Sequence, residues 1–257
     1  MRIVTCNTNG IRSAWRKGFF DWLAGIEADI VCIQETKAQE NQLDHPDFCP
    51  DGYHCFYHDA QKKGYSGTAL YSRKNPKRVV RQLGFDICDT EGRWLQADFD
   101  HLSVVSLYMP SGSASEERQQ RKFAFMDALL PHLLAMQQDQ RDYIVCADWN
   151  ICHRELDLKN WKSNQKNSGF LPEERQWMDA LLNRHGFTDS FRELYPDKEQ
   201  YTWWSNRGQA YAKDVGWRLD YQLVTSGLKG RVREAVVYKE TKFSDHAPLI
   251  VDYAIDW

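Results

Sequence analysis

Short runs of β-branched and apolar residues recur along the whole chain, and they constrain its fold more than any other feature. Eight runs predict strands: RIVTC, DIVCIQE, GTALYS, LSVVSLYM, DYIVCAD, LDYQLV, VREAVVY and PLIVDYAI. Several are apolar at consecutive positions, which is typical of strands that are buried on both faces. Helical patterns lie between the runs, so the sequence predicts a mixed α/β fold.

Three segments have helical periodicity. The first spans residues 17–26 and places its apolar side chains on one face. The second opens at Ser113, at the spacing of a capping box, and is expected to bend at Pro131 near its end. The third begins at Pro172, a residue suited to the first helical turn, and ends at Gly186.

Composition narrows the class of protein. The sequence shows no repeat or linker, so one α/β domain over residues 1–257 is expected. The seven cysteines are odd in number and show no CxxC pair, and several lie in apolar runs where a free thiol packs as a small hydrophobe, so a reducing compartment is expected. With no long apolar segment, a soluble cytoplasmic protein with no membrane contact is expected. The net charge of −3 argues mildly against nucleic-acid binding, so any positive charge for DNA must be local.

Polar residues stand at the ends of the predicted strands, where the loops of sheet enzymes commonly carry function. They are Asn7, Glu35, Tyr108, Asp148, Asn150, Asp220, Asp245 and His246. Each one alone fits an ordinary cap or turn residue. As a set, the oxygen donors with one imidazole and no cysteine suit Mg²⁺, with Mn²⁺ as a possible substitute.

Individual roles follow from spacing. Asp148 is the best candidate for a general base, and Asn150, two residues on, projects to the same side of an extended segment. Asp220 is expected to orient His246 and to fix its charge. Tyr108 is either a hydrogen-bond donor to a phosphate or an ordinary aromatic residue at a strand end.

The chain resembles the exonuclease III/AP endonuclease family, within the endonuclease/exonuclease/phosphatase superfamily that includes DNase I-like enzymes. The resemblance rests on short motifs in a fixed order over nearly the whole chain: Asn7-Thr8-Asn9-Gly10, Gln34-Glu35-Thr36-Lys37, Glu91-Gly92-Arg93, Tyr108-Met109-Pro110, Asp148-Trp149-Asn150, Gly169-Phe170-Leu171-Pro172, Gly216-Trp217-Arg218-Leu219-Asp220 and Ser244-Asp245-His246.

The resemblance implies a four-layer sandwich, with two mixed β-sheets packed face to face and helices on the outer faces. It also implies Mg²⁺-dependent cleavage of double-stranded DNA on the 5′ side of an abasic site, by a monomer. Glu35 would be the principal metal ligand, with Asn7 and Asp245 nearby. A second metal position would use Asp148, Asn150 and His246, and whether one or two ions act stays open.

The resemblance also marks residues for the abasic substrate. Trp203, Trp217 and Leu219 match an apolar pocket for the baseless sugar, whereas Trp204 is expected in the core. A polar segment provides further contacts: Asn164 and Asn167 match positions that hold phosphates, and the small Ser168 is expected to leave the pocket mouth open. Arg207 is among several basic residues expected to contact phosphates, although the Asn206-Arg207-Gly208 segment lacks the apolar wedge of some relatives.

Other interpretations remain. The chain is alternatively a 3′-5′ exodeoxyribonuclease with weak abasic activity, and 3′-phosphodiesterase activity is possible in either case. A phosphatase or sphingomyelinase of the superfamily is disfavoured because the GWRLDY and NQKNSGF segments match the nucleases. A non-catalytic DNA-binding scaffold is disfavoured because the polar set is complete.

Overall fold

The computed structural model describes residues 1–257 and contains twelve strands. They are β1 (Arg2–Asn7), β2 (Ile30–Gln34), β3 (His54–His58), β4 (Thr68–Ser72), β5 (Arg78–Val80), β6 (Trp94–Asp98), β7 (Leu102–Tyr108), β8 (Asp142–Asp148), β9 (Thr188–Asp189), β10 (Asp220–Val224), β11 (Val232–Val237) and β12 (Leu249–Tyr253). All eight predicted strands are present. The sequence patterns missed β3, β5, β6 and β9, of which β5 and β9 have three residues and two.

Seven α-helices and several single turns connect the strands. The helices are α1 (Ile11–Arg16), α2 (Phe19–Ala24), α3 (Asp86–Thr90), α4 (Glu116–Gln138), α5 (Trp161–Asn164), α6 (Pro172–Asp179) and α7 (Ser190–Leu194). Short 3-10 turns cover Glu40–Gln42, Pro46–Phe48, Glu155–Asp157 and Ser226–Leu228, and a π-helical turn at Ala180–Arg184 extends α6.

Two helix starts differ from the prediction. The segment 17–26 is not one helix, because Gly18 has a φ of 83° and separates α1 from α2. The long helix begins at Glu116, with Ser115 as its cap, and not at Ser113. Ser115 lies two residues after the predicted start and caps the helix, because its hydroxyl accepts a hydrogen bond from the Arg118 N–H at 3.2 Å. The helix continues through Pro131 to Gln138.

The strands form two mixed sheets of six strands. One has the order β11-β12-β1-β2-β4-β3 and the other β5-β6-β7-β8-β10-β9. The central pairs β1–β2 and β7–β8 are parallel, and their other neighbours are antiparallel. The polar ends of β1 and β2 therefore lie at one edge of the first sheet, and those of β7 and β8 at one edge of the second.

Three apolar cores separate four layers. Side chains from both sheets, such as Ile3, Leu70, Val104 and Ile144, make the central core. Alternate side chains along each strand point away from the central core, into one of two outer cores that helices cover. Helices α4 and α6 cover the second sheet, and α1 and α2 cover the first. Burial on both faces explains the consecutive apolar positions. The predicted four-layer sandwich is confirmed.

Polar side chains inside the central core fix one sheet against the other. Gln34 Nε2 on β2 donates to Ser106 Oγ on β7 at 3.1 Å, and Gln222 Nε2 on β10 donates to the Ile3 carbonyl at 3.2 Å. Leaving a buried polar group unpaired costs about 1–3 kcal/mol, so these contacts disfavour any other alignment of the two sheets. The alignment places the polar strand ends of both sheets face to face.

The cysteines correct one expectation. Cys49 and Cys55 form a disulfide with a Cα–Cα distance of 5.7 Å, a pair that the expected reducing compartment did not predict. The turn before β3, closed by the Tyr53 N–H on the Pro50 carbonyl, returns the chain on itself and brings the two sulfurs together. The other five cysteines are free and buried. None of the helices has the length and apolar character required to span a membrane.

Candidate active site

The strand ends bring the predicted polar residues into one cluster. Asn7 ends β1 and Glu35 follows β2 in the first sheet. In the second sheet Asp148 lies between Tyr108 and Asp220, its register partners on β7 and β10. Asp245 and His246 lie just before β12. We call the eight residues the polar cluster: Asn7, Glu35, Tyr108, Asp148, Asn150, Asp220, Asp245 and His246.

Asn7 joins the two halves of the polar cluster. Its fully buried amide nitrogen donates to Glu35 Oε2 at 2.9 Å and to Asp148 Oδ2 at 2.8 Å. Both N–H groups are therefore used, one toward each sheet. Asn7 holds the two carboxylates at a fixed separation and supplies neither with a compensating charge.

His246 is held between two carboxylates. Its Nδ1 lies 2.8 Å from Asp220 Oδ2, and its Nε2 lies 3.8 Å from Asp148 Oδ2. Burial alone lowers the pKa of His246, but Asp220 and Asp148 outweigh it and raise the pKa above its ordinary value. The two carboxylates therefore favour the protonated imidazole, and Asp220 lies within hydrogen-bond distance of its Nδ1.

Asp148 is surrounded by groups that act on its charge in opposite directions. Burial raises the pKa of Asp148 and Asp220 adds to the rise, whereas His246 and the Asn7 amide oppose it. The Asn150 N–H donates to Asp148 Oδ1 at 2.9 Å. A carboxylate with a raised pKa is a better proton acceptor than an exposed one.

Two backbone positions in the polar cluster have left-handed conformations. The φ angles are 56° at Glu35 and 51° at Asn150. For residues other than glycine such conformations cost energy, and they persist where the surroundings fix them. The Asn150 side chain is fixed by its Nδ2, which donates to the Met109 carbonyl at 2.8 Å. Both side chains are thereby turned toward the cavity at the sheet edge.

Asp245 is surrounded by hydrogen-bond donors. Trp203 Nε1 donates to its Oδ2 at 3.0 Å, while Asn9 Nδ2 and the Ser244 hydroxyl donate to its Oδ1 at 3.0 and 3.1 Å. Burial raises the pKa of Asp245, but the charge of His246, followed by the hydrogen bonds from Trp203, Asn9 and Ser244, outweighs burial and holds the pKa below its ordinary value. Asp245 is therefore an ionised carboxylate whose orientation is set from three sides.

Arg93, a buried residue for which the sequence analysis predicted no role, contacts Tyr108. Arg93 is 2% exposed and lies with its guanidinium 4.7 Å from the centre of the Tyr108 ring. It also donates from Nη1 to the Tyr108 carbonyl at 3.0 Å and from Nε to Glu91 at 2.7 Å. Burial raises the pKa of Tyr108, and Glu35 raises it further. The phenol therefore stays protonated, as a hydrogen-bond donor must.

An open cavity of about 800 Å³ lies over the polar cluster. Its apolar wall is formed by Trp203, Trp217 and Leu219. The two tryptophan rings pack edge to face with their centroids 6.2 Å apart, and the backbones of the two tryptophans form two hydrogen bonds of 2.9 Å. Lining the cavity are also Glu35, Tyr108, Asp148, Asn150, Asn167, Ser168, Asp245 and His246. Asn7 and Asp220 lie buried beneath it. Trp204 is fully buried in the core, as expected.

Two predicted contact residues do not line the cavity. Asn164 lies on α5, and its Oδ1 accepts a hydrogen bond from Asn167 Nδ2 at 2.7 Å, so the two amides form a pair at the cavity rim. Arg207 is exposed and lies outside the cavity lining.

Charge at the site is negative. Four carboxylates (Glu35, Asp148, Asp220 and Asp245) face two cationic groups, His246 and Lys37, which leaves two negative charges. Lys37 Nζ lies 2.9 Å from Glu35 Oε1 and 2.5 Å from Asn9 Oδ1, so a cation already contacts this carboxylate. Asp148, Asp220 and His246 present atoms within 4.8 Å of one another. The oxygen donors and the excess negative charge fit a hard divalent cation.

The comparisons with known proteins agree with this arrangement. The model of the Endonuclease/Exonuclease/phosphatase family matches residues 4–246. An exodeoxyribonuclease of Bacillus subtilis (strain 168) is 39% identical over 97% of this chain and 98% of its own length, and the DNA repair nuclease APEX1 of Danio rerio is 36% identical over 99% of this chain and 83% of its own length.

Solved structures show the same architecture over the full length. An AP endonuclease from Archaeoglobus fulgidus superimposes with a TM-score of 0.90 at 27% identity, over 99% of this chain and 100% of that one. A 3′-5′ exonuclease from Neisseria meningitidis gives a TM-score of 0.90 at 25% identity over 100% of both chains. With its fold, its motifs and these relatives, the chain belongs to the endonuclease/exonuclease/phosphatase family of nucleases.

Proposed function

We propose that the chain is a Mg²⁺-dependent DNA repair endonuclease that hydrolyses the phosphodiester bond 5′ to an abasic site in double-stranded DNA. Residues 1–257 act as one catalytic domain. The observation that carries the proposal is the position of Asp148 and His246, which face the same cavity as the apolar wall of Trp203, Trp217 and Leu219. Acid-base groups and a sugar-sized apolar surface thereby meet at one place.

Asp148 accepts the proton of the attacking water in this mechanism. Its oriented, buried carboxylate is suited to that role, and the Asn150 N–H fixes its direction. The protonated His246 stabilises the negative charge that develops on the phosphoryl group, and Asp220 preserves that proton. The amide of Asn150 and the phenol of Tyr108 hold the phosphate in line, because both line the cavity.

The divalent ion is Mg²⁺, with Mn²⁺ as a substitute, and Glu35 with Asp245 and Asn7 holds it. When bound, it supplies positive charge to the phosphate oxygens. Because His246 is hydrogen-bonded and favours its protonated form, it is poorly suited to bind a metal ion. A second metal position at Asp148, Asn150 and His246 therefore stays a prediction. The proposal therefore requires one ion and leaves the second position open.

The abasic preference rests on the apolar wall and the cavity rim. A baseless sugar turned out of the helix would pack on Trp203, Trp217 and Leu219, while a nucleotide with its base requires more space. Asn164, Asn167 and Ser168 lie at the cavity rim, where the paired amides of the two asparagines would contact flanking phosphates. Lys37 and Lys166 also line the cavity and provide local positive charge in an acidic protein.

Predominant 3′-5′ exonuclease activity with weak abasic cleavage is the second candidate. It is favoured by the similarity to the Neisseria 3′-5′ exonuclease over the whole of both chains. The exposed Arg207 loop also carries no apolar wedge to hold a lesion open. Both candidates use the same polar cluster. A monomeric state and a cytoplasmic location stay predictions.

A labelled duplex tests the proposal. One strand carries a tetrahydrofuran abasic analogue, and an intact duplex of the same sequence is the control. With Mg²⁺ we expect incision directly 5′ to the analogue, and none with a chelator. Loss of 3′-terminal nucleotides from both duplexes, without incision at the analogue, would favour the second candidate. No cleavage of either duplex would reject both.

A further inference from the structure

Helix α4 carries an ammonium group into the protein interior beneath the cavity. Lys122 lies four residues before Met126 on the buried face of the helix, and its side chain has no solvent exposure. Its Nζ donates to Glu174 Oε1 at 2.5 Å and to the Asn150 carbonyl at 2.7 Å. The buried ion pair is therefore hydrogen-bonded, through Lys122, to the backbone carbonyl of Asn150, a residue of the polar cluster.

The other end of the pair holds the segment 161–171, which carries the cavity rim. Glu174 Oε2 accepts the Gly169 N–H at 2.7 Å and the Leu171 N–H at 3.0 Å. Gly169 packs so closely that a Cβ there would lie 3.2 Å from the Asn150 carbonyl oxygen and 3.2 Å from the Trp217 ring. The rim, the apolar wall and Asn150 thus meet at Gly169.

Stability alone is a poor explanation for this pair. Taking two charges out of water is costly, and apolar residues of similar size often replace a buried ion pair without loss of stability. A buried charge network instead fixes geometry, because each charged atom has defined partners. Here the partners are the Gln119 side chain, whose Nε2 donates to Glu174 Oε1 at 3.1 Å, and backbone groups of two separate segments. One of these residues, Asn150, has a left-handed φ of 51°.

We propose that Lys122 and Glu174 are positioning residues that lock the Asn150 peptide to the 161–171 segment. The lock keeps the groups around the reacting phosphate and the pocket mouth in one relative geometry. Neither side chain reaches the cavity lining, so both act through their neighbours. The inference rests on the proposed function, and it assigns a task to a charged pair that the mechanism does not otherwise use.

The decisive variant combines Lys122→Met with Glu174→Gln. Lys122→Met alone leaves a buried, unpaired carboxylate and is expected to lower Tm. Adding Glu174→Gln removes that charge and keeps an oxygen for the Gly169 and Leu171 N–H groups, so Tm is expected to recover. The bond to the Asn150 carbonyl stays absent. We therefore expect kcat on the tetrahydrofuran duplex to remain at least about tenfold below the wild-type value, because small displacements of reacting groups cost up to about 100-fold.

Controls separate positioning from general loss of structure. Leu129→Ala on the same helix removes buried apolar atoms from the core over the second sheet and is expected to lower Tm while leaving kcat unchanged. Glu174→Gln alone preserves volume but turns an amide N–H toward Lys122, donor against donor. It should lower kcat as well, and it serves as the test if Lys122→Met does not yield folded protein.

The outcomes are distinct. A double variant with wild-type Tm and reduced kcat supports the inference. Recovery of kcat together with Tm, or a wild-type kcat in Glu174→Gln, overturns it. The same preparations are assayed for 3′-exonuclease activity on the intact duplex. If the wild-type chain does not incise the abasic duplex, the proposed function is rejected, while the positioning role is still judged on the exonuclease reaction.

Discussion

The indole nitrogen of Trp203 donates a hydrogen bond of 3.0 Å to Asp245 Oδ2, and so the apolar wall of the cavity is joined directly to a carboxylate of the polar cluster. Trp203 packs on Trp217 with its ring and orients Asp245 with its N–H. A phenylalanine at this position would keep the first role and lose the second.

Replacing Trp203 by phenylalanine tests the two roles separately. Trp203→Phe removes one hydrogen bond to an ionised group, for which the expected cost is about 1.5–3 kcal/mol. We expect weaker Mg²⁺ binding and a lower kcat with little change in fold. Trp217→Phe is the matched control, because its indole makes no bond to Asp245. Equal Mn²⁺ affinity in both variants, measured by electron paramagnetic resonance, would contradict this role for the indole N–H.

Asp148→Asn is expected to lower kcat by about 10²–10⁴-fold, since the amide cannot accept a proton from water. The loss should be in kcat rather than KM, because the side chain keeps its size. Single-turnover cleavage of the tetrahydrofuran duplex gives the rate, and circular dichroism checks the fold. A rate within threefold of the wild-type value would exclude Asp148 as the base.

Glu35→Gln removes the carboxylate that pairs with Lys37 and makes the net charge of the site less negative by one. Binding of Mg²⁺ should weaken, and activity should recover in part at high metal concentration, in contrast to Asp148→Asn. Titration calorimetry with Mg²⁺ and with Mn²⁺ measures the affinity. An unchanged affinity would place the ion elsewhere.

Ser168→His is expected to narrow the mouth of the cavity. Ser168 lines the cavity close to Gly112, and a Cβ at Gly112 would lie 2.7 Å from the Ser168 hydroxyl, so the rim has little spare room. Abasic incision should fall while cleavage at 3′ termini is retained. Ser168→Ala, which adds no volume, is the control. Undiminished incision by Ser168→His would show that the rim does not control access.

A buried carboxylate outside the polar cluster should govern stability in acid. Burial raises the pKa of Asp157, but Arg218 and Arg192 outweigh burial and hold the pKa well below its usual range. A depressed pKa stabilises the fold above the unfolded-state value of about 3.9, and that contribution is lost as the pH falls toward the folded-state value. At pH 7 Asp157→Asn should lower the free energy of unfolding by about 3–5 kcal/mol.

Urea unfolding at several pH values measures this difference. The gap between wild type and Asp157→Asn should be constant above about pH 5 and should narrow below about pH 4. Asp100→Asn is a suitable control, because Asp100 pairs with Lys77 on the surface, where ion pairs contribute little. A gap that is independent of pH would show that Asp157 is not ionised in the folded protein.

The sequence predicted the central strands and the polar strand ends because consecutive apolar residues followed by a carboxylate or an amide form a local pattern. Strands β5 and β9 are too short to produce such a pattern. The face-to-face arrangement of the sheets came only from the resemblance, because no local pattern specifies which strand ends meet. The position of Lys122 on the buried face of α4 can be recognised from the sequence, because a charge interrupts the apolar stripe of the helix. Its partners Asn150 and Glu174 could not be predicted, because they are 28 and 52 residues away.

The Asn7 side chain contacts a carboxylate from each sheet, and this has a consequence for the newly made protein. Asn7 and Glu35 are synthesised early, and His246 appears more than 200 residues later. Neither sheet alone carries all eight residues of the polar cluster. On the proposed residue roles, a nascent or half-folded chain would not cleave DNA, and activity would begin only when the two sheets have packed together.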